Sequence, residues 1–217
     1  FSEKKDELVN RLNEFKNNDI SENDLKIKYN LGKNYAEFIL KNKEQLKIEN
    51  DKFIKCSYRP FDDRYTYFDN KILWRWRVDI MQHFLKGENI GLVIPRLNQE
   101  DDCIFISKYI IAHKLCSAYD SNSIFPLYLY PDEKNKDLFA TGLERTPNLN
   151  PEIVKQIAKG LGLTFSPLTP EGGITRNATT PPLGAGGLLP IDLLDYIYAV
   201  LHSPTYREKY KEFLKID

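Results

Sequence analysis

The chain is poor in the residues that carry most covalent and metal chemistry. It has three cysteines, Cys56, Cys103 and Cys116, an odd number with no CxxC spacing. A disulfide framework or a structural zinc site is not expected from them, and a reducing cytoplasm fits. The three histidines, His83, His113 and His202, stand far apart and read as structural or surface residues. HExxH, GxSxG and P-loop patterns are absent. "GLGLTF" at 160–165 and "GAGG" at 184–187 are glycine-rich, but neither follows a strand and opens a helix as a dinucleotide loop must, so both read as turns. Asp62-Asp63 and Glu100-Asp101-Asp102 are explained by turn and loop chemistry without a cation. No residue is assigned a catalytic or metal-binding role.

Long apolar runs are missing as well. None reaches the roughly 18 residues that span a bilayer, so no membrane partner is expected. The polar start Phe1-Ser2-Glu3-Lys4-Lys5 does not resemble a signal peptide. Net charge is zero, with 31 Lys+Arg against 31 Asp+Glu. Proteins that coat nucleic acid without specificity are usually basic overall, so this balance leaves room only for a local basic groove.

What is present suffices for a core: 217 residues, 41% hydrophobic, enough for one or two domains. Leu8, Val9, Leu12 and Phe15 share one face of a helix over 3–17. Ser21 caps a short helix through Leu25, and Asn34 caps another with Tyr35, Phe38, Ile39 and Leu46 inward. From Lys52 the texture turns to strands: "KFIKCSYRPF", "RYTYF", "NIGLVIPR", "DCIFIS" and "IFPLYLYP". Asp69-Asn70-Lys71 reads as a turn, "VDIMQHFLKG" as a short helix closed by Gly87, and 108–118 as strand or helix. Asn150-Pro151 opens a helix ending near Gly160. Residues 166–190 form a Pro/Gly-rich loop, and two helices follow, divided at Ser203-Pro204. The expected class is α+β: a central, mostly antiparallel or mixed sheet flanked by N- and C-terminal helices. In domain terms the chain is one fragment of a larger enzyme. It has a helical lead-in (1–50), an α/β core (52–165), the loop (166–190) and a C-terminal helical pair (191–217).

One stretch stands out. Lys55 to Arg77, "KCSYRPFDDRYTYFDNKILWRWR", gathers five Tyr and Phe rings, two tryptophans and four arginines. From Lys52 to Arg77 there are seven basic residues and three acids, a balance of +4 inside a neutral chain. Arginine forks match phosphates and guanine edges, and aromatic rings flank sugars or bases. The other reading is a hairpin whose rings are core and whose arginines pair with Asp62, Asp63 and Asp69. Spacing alone leaves the two open.

"SYRPFDDRYTYF", "DIMQHFLKGENIGLVIPR", "IFPLYLYP", "RTPNLNPEIV" and "LLDYIYAVLHSPTYREKYKEFLKID" occur in this order. Together they resemble the C-terminal target-recognition (specificity) domain of bacterial Type ISP, single-chain restriction–modification enzymes and related N6-adenine DNA methyltransferases. The resemblance covers nearly the whole chain and is weakest over 166–190. It implies a parent polypeptide with a nuclease, a translocating ATPase and an adenine methyltransferase, continuing past Asp217. The methyltransferase's Asn-Pro-Pro-Tyr tetrapeptide and Gly-rich cofactor motif are absent here. The segment is therefore expected to be non-catalytic and to need no cofactor. S-adenosylmethionine, with ATP and Mg, would belong to the parent.

The implied partners are double-stranded DNA and the methyltransferase domain of the same polypeptide, in the cytoplasm. Arg59, Arg64, Arg75 and Arg77 are the expected backbone or base contacts. Arg96, Asn98 and Gln99 form a second cluster where a strand leaves for a polar loop. Arginine there suits guanine, and Asn and Gln suit adenine. The competing function is a scaffold module that does not touch DNA and docks the methyltransferase and motor domains through the apolar face of helix 191–201.

Overall fold

The computed structural model describes residues 1–74, 76–96, 103–116, 121–131, 145–167 and 187–214. The fold class is α+β. The chain divides into two compact units, Phe1–Arg77 and Val78–Asp217.

The first unit opens with three helices: α1 (Lys5–Lys16), α2 (Glu22–Lys28) and α3 (Lys33–Lys41). Ser21 caps α2 by accepting the Asp24 N–H, as its position implies. Helix α3 corrects the expected cap. It starts behind Gly32, whose carbonyl accepts the Ala36 N–H at 2.8 Å, and Asn34 lies inside the first turn. Glycine is an acceptable N-cap, and Ala36 and Ile39 thereby face the core. A 3-10 turn at Asn50–Lys52 leads into β1 (Phe53–Arg59), which pairs antiparallel with β2 (Asp62–Tyr67). The helices and hairpin close over Leu8, Leu12, Phe15, Leu25, Leu46, Phe53, Tyr67 and Ile72. Beyond the hairpin, Asp69 Oδ1 accepts the Lys71 N–H at 2.8 Å and makes the expected turn.

Cys56, on β1, is fully buried, and burial pushes its thiol from 9.0 up to about 12. The folded chain disfavours the thiolate, so this contribution to stability is complete below pH 9. It erodes as pH rises towards about 12. Urea unfolding across that window is expected to show a decline that Cys56→Ala makes shallower. Equal slopes for both proteins would rule out the thiol as its source.

The second unit begins with α4 (Val78–Met81), continued as a 3-10 turn at Gln82–Phe84. Strand β3 (Gly91–Pro95) is central to a three-stranded antiparallel sheet between β4 (Phe105–Ser107) and β6 (Asn122–Pro126). Among its described residues, the ambiguous segment 108–118 contributes the two-residue strand β5 (Ile110–Ile111). Strands β7 (Tyr128–Leu129) and β8 (Thr146–Pro147) form a separate antiparallel pair. The strands are thus gathered in small sheets, not in one large one.

Helix α5 (Pro151–Leu161) is capped by Asn150, which accepts the Glu152 and Ile153 N–H groups. It ends at Leu161, near Gly160 as expected. Gly162 takes the left-handed conformation at φ 67°, and the Leu163 N–H reaches the Ala158 carbonyl at 2.9 Å. Only glycine adopts that φ without steric cost, so the stop falls there. Helix α6 (Pro190–Leu201) is followed by α7 (Pro204–Lys209) behind the Ser203 cap, and by α8 (Lys211–Leu214). Asp192 caps α6 by accepting the Leu189 N–H at 2.7 Å. Ile90, Leu92, Leu127, Tyr128, Leu189, Ile191 and Leu194 form one hydrophobic cluster of this unit.

Candidate nucleic-acid interface

The arginine-rich stretch folds as the hairpin β1–β2 and the turn beyond it. Arg59 is opposite Asp62, and Pro60 and Phe61 make the connection. Proline suits the first central position of such a turn, and the second central residue has φ > 0. Phe61 takes that place at φ 60°. A phenylalanine in the left-handed region costs on the order of 1 kcal/mol that glycine would avoid. Its side chain is 98% exposed.

Behind the tip, one ring organises two charges. The guanidinium carbons of Arg59 and Arg64 each lie 4.4 Å from the centroid of the Tyr58 ring. Cation–π attraction of this kind holds a guanidinium flat against an aromatic face. Phe1 packs on the same ring, with centroids 4.9 Å apart. The pleat explains how Arg64 reaches its partner. Asp62 and Arg64 are two residues apart on β2, so they share a face. Arg64 Nε donates to both Asp62 oxygens at 3.0 and 2.9 Å. The Arg64 guanidinium holds the Asp62 carboxyl below the usual carboxylate range, and Asp62 raises Arg64 in turn. Asp63, on the other face, accepts from Ser57, its cross-strand partner, at 2.8 Å. Arg59 Nη1 donates to the Tyr58 carbonyl at 2.8 Å.

The remaining basic and aromatic residues divide by role. Lys52 is held by Asp69 at 2.9 Å and Glu49 at 3.1 Å, which raise its pKa. Tyr67 is core, while Phe68 stacks edge-on against Trp76. The hairpin reading of the stretch therefore holds in part: Tyr67 is core, and Arg64 is in an ion pair with Asp62. The Tyr58 platform brings Arg59 and Arg64 together. Arg77 is exposed, and Arg75 lies outside the described residues. Tyr58 and Phe61 were not singled out in the sequence, although Pro60 before Phe61 was a signal for a turn.

In the second unit, Arg96 is exposed at the end of β3, with its backbone N–H bonded to the Ser121 carbonyl at 3.0 Å. Asn98 and Gln99 lie outside the described residues. His83 and His202 serve the backbone: His83 Nδ1 accepts the Tyr130 N–H at 3.0 Å, and His202 Nε2 is 3.1 Å from the Ile104 carbonyl. Among the described residues, no group of three or more His, Cys, Asp or Glu is placed to hold a metal ion, and no helix is long and apolar enough to cross a membrane. No disulfide joins the cysteines among them, Cys56, Cys103 and Cys116.

The family model of the Type ISP C-terminal specificity domain matches residues 1–217. The chain belongs to this family. Two solved structures show the same fold. One is a DrdV–DNA complex, 19% identical with a TM-score of 0.61, in which the match covers 100% of this chain and 19% of that one. The other is the ATP-dependent Type ISP restriction–modification enzyme LlaBIII bound to DNA, 15% identical with a TM-score of 0.55, covering 82% of this chain and 10% of that one. This Type ISP specificity domain thus spans about a fifth or less of the proteins it resembles. No curated protein matches it.

Proposed function

We propose that the chain is the sequence reader of a restriction–modification enzyme and recognises double-stranded DNA for an adenine-N6 methyltransferase attached to it. The observation that carries this reading is the hairpin end, where the guanidinium groups of Arg59 and Arg64 are both held against the Tyr58 ring. Fixed arginine forks suit phosphates and guanine edges. Membership of the specificity-domain family and the presence of DNA in both solved relatives support it. In this reading Arg77 joins the hairpin contacts with Arg75, and Arg96, Asn98 and Gln99 read base edges. S-adenosylmethionine, with ATP and Mg, would serve the other domains of a cytoplasmic bacterial enzyme, where the target adenine is turned out of the stack.

A second role for the other unit has its own support. Ile153, Ile157 and Leu161 recur at four-residue spacing on α5 and are 55%, 39% and 60% exposed. With Tyr196 and Ile197 on α6 they suit docking of neighbouring domains.

Arg59→Ala in the intact enzyme is expected to weaken DNA binding on all sequences and to reduce the salt slope by about one unit if the contact is to phosphate. Arg64→Ala should do more, because it also leaves the Asp62 carboxylate without its guanidinium. Filter binding across a salt series, beside thermal unfolding, measures both. Wild-type affinity and slope in two folded variants would remove the hairpin from the interface.

A further inference from the structure

We propose that Phe61 is a stacking wedge, an aromatic ring at the hairpin tip that inserts at a base step of the bound duplex. The proposal rests on the DNA-reading assignment of this hairpin. Three observations point to it. The ring is 98% exposed. Its residue has φ 60°, a backbone conformation in which glycine or asparagine sits with less strain. A ring this exposed keeps both faces open to a partner, and a Cβ at this φ strains the turn. The third observation is position. Arg59 is next to the turn, and Arg64 lies three residues beyond Phe61, so both guanidinium groups flank the base of the tip. A hairpin that enters a groove in this way meets phosphates with its flanks and bases with its point.

The charges at the tip agree with a contact to bases. Between Tyr58 and Arg64 the two arginines are balanced by Asp62 and Asp63. Asp62 is engaged by Arg64, and Asp63 by Ser57. The arginine flanks meet phosphate, and what the uncharged ring adds at the point is stacking. Apolar and aromatic side chains act as wedges by partly unstacking a step, and each stack on a base tolerates any sequence because every base has a π-face. Docking of the ring on another protein domain is less well served, because that partner would have to bury guanidinium groups with it.

The test uses the full-length enzyme with Phe61→Ala, Phe61→Gly and Phe61→Trp. The probe is a duplex carrying the enzyme's own footprint, with 2-aminopurine placed at one position after another. Wild type and Phe61→Trp are expected to change the 2-aminopurine fluorescence at one step. Phe61→Ala and Phe61→Gly should lose that change and bind about five- to a hundredfold more weakly, the size of one base–aromatic stack. The salt slope should stay as in wild type, because no ionic contact is lost. Phe61→Gly should unfold at a temperature no lower than wild type, since glycine relieves the turn.

The proposal is overturned by wild-type affinity and an unchanged fluorescence profile in Phe61→Ala. It is also overturned by a loss of affinity with a reduced salt slope, which would make the ring a prop for the arginines. Faster proteolysis of DNA-free Phe61→Ala with intact DNA binding would overturn it in favour of a protein-docking role. Arg59→Ala separates the two levels. If it weakens binding and Phe61→Ala does not, only the wedge fails; if neither variant weakens binding, the DNA assignment of the hairpin fails with it.

Discussion

Replacing Asn89 by alanine is expected to destabilise the second unit by about 4 kcal/mol or more. Asn89 is 3% exposed and uses its whole amide. Nδ2 donates to the carbonyls of His83 at 2.9 Å and Tyr128 at 2.8 Å. Oδ1 accepts the N–H groups of Ile90 at 2.9 Å and Tyr128 at 3.1 Å. One side chain thus joins the end of the short helix, the start of β3 and strand β7. Alanine would leave four backbone groups without that partner, and each buried polar group left unpaired costs about 1–3 kcal/mol. Asn89→Asp keeps the acceptor and loses both donors, while adding a buried charge, so it should also be severely destabilised. Urea unfolding of the 217-residue chain measures both. A loss below about 1 kcal/mol for Asn89→Ala would mean that water takes over the four bonds.

The corresponding position in the first unit is Tyr67, and Tyr67→Ala is expected to cost about 4 kcal/mol. The ring is 1% exposed and meets Phe53 edge-on, with centroids 4.9 Å apart. Its hydroxyl donates to the Lys47 carbonyl at 2.6 Å and accepts the Glu49 N–H at 3.0 Å. The ring fills the core under the hairpin, while the hydroxyl fixes the segment that leads into β1. Tyr67→Phe keeps the packing and loses the two hydrogen bonds, so about 1–2 kcal/mol is expected from it. Equal losses in the two variants would show that the hydroxyl, not the ring, holds this segment. Calorimetric unfolding of both variants makes the comparison.

Local chemistry made much of the fold legible. Ser21, Asn150 and Ser203 each cap a helix where the sequence placed them, because a short acceptor side chain acts on N–H groups two or three residues away. The cap of α3 was misplaced where two residues of similar propensity compete within one turn, Gly32 and Asn34. Tertiary packing decides between such neighbours. The division of strands among small sheets was not legible, since β4 has three residues and β5 and β7 have two, too few for an alternation that specifies a partner.

At the candidate site the composition pointed to the hairpin, but not to the roles within it. The pairing of Arg64 with Asp62 rather than Asp63 follows from the strand's two-residue period, which becomes usable only once β2 is known to begin at Asp62. The stacking of two guanidinium groups on Tyr58 depends on the bulge between Ser57 and Arg59, and no local pattern announces a bulge.

That stacking bears on the thermodynamics of recognition. A free arginine side chain has about 2 kcal/mol of rotamer entropy to lose on being immobilised. On the Tyr58 ring, Arg59 and Arg64 surrender much of it during folding, before a partner arrives. A partner then meets a nearly rigid pair of forks, and less of its contact energy is spent on ordering them. Lysine at either position would restore the positive charge with a flexible stem and no planar face. If the hairpin reads DNA as proposed, its selectivity should follow the shape and stiffness of its cations more closely than their number.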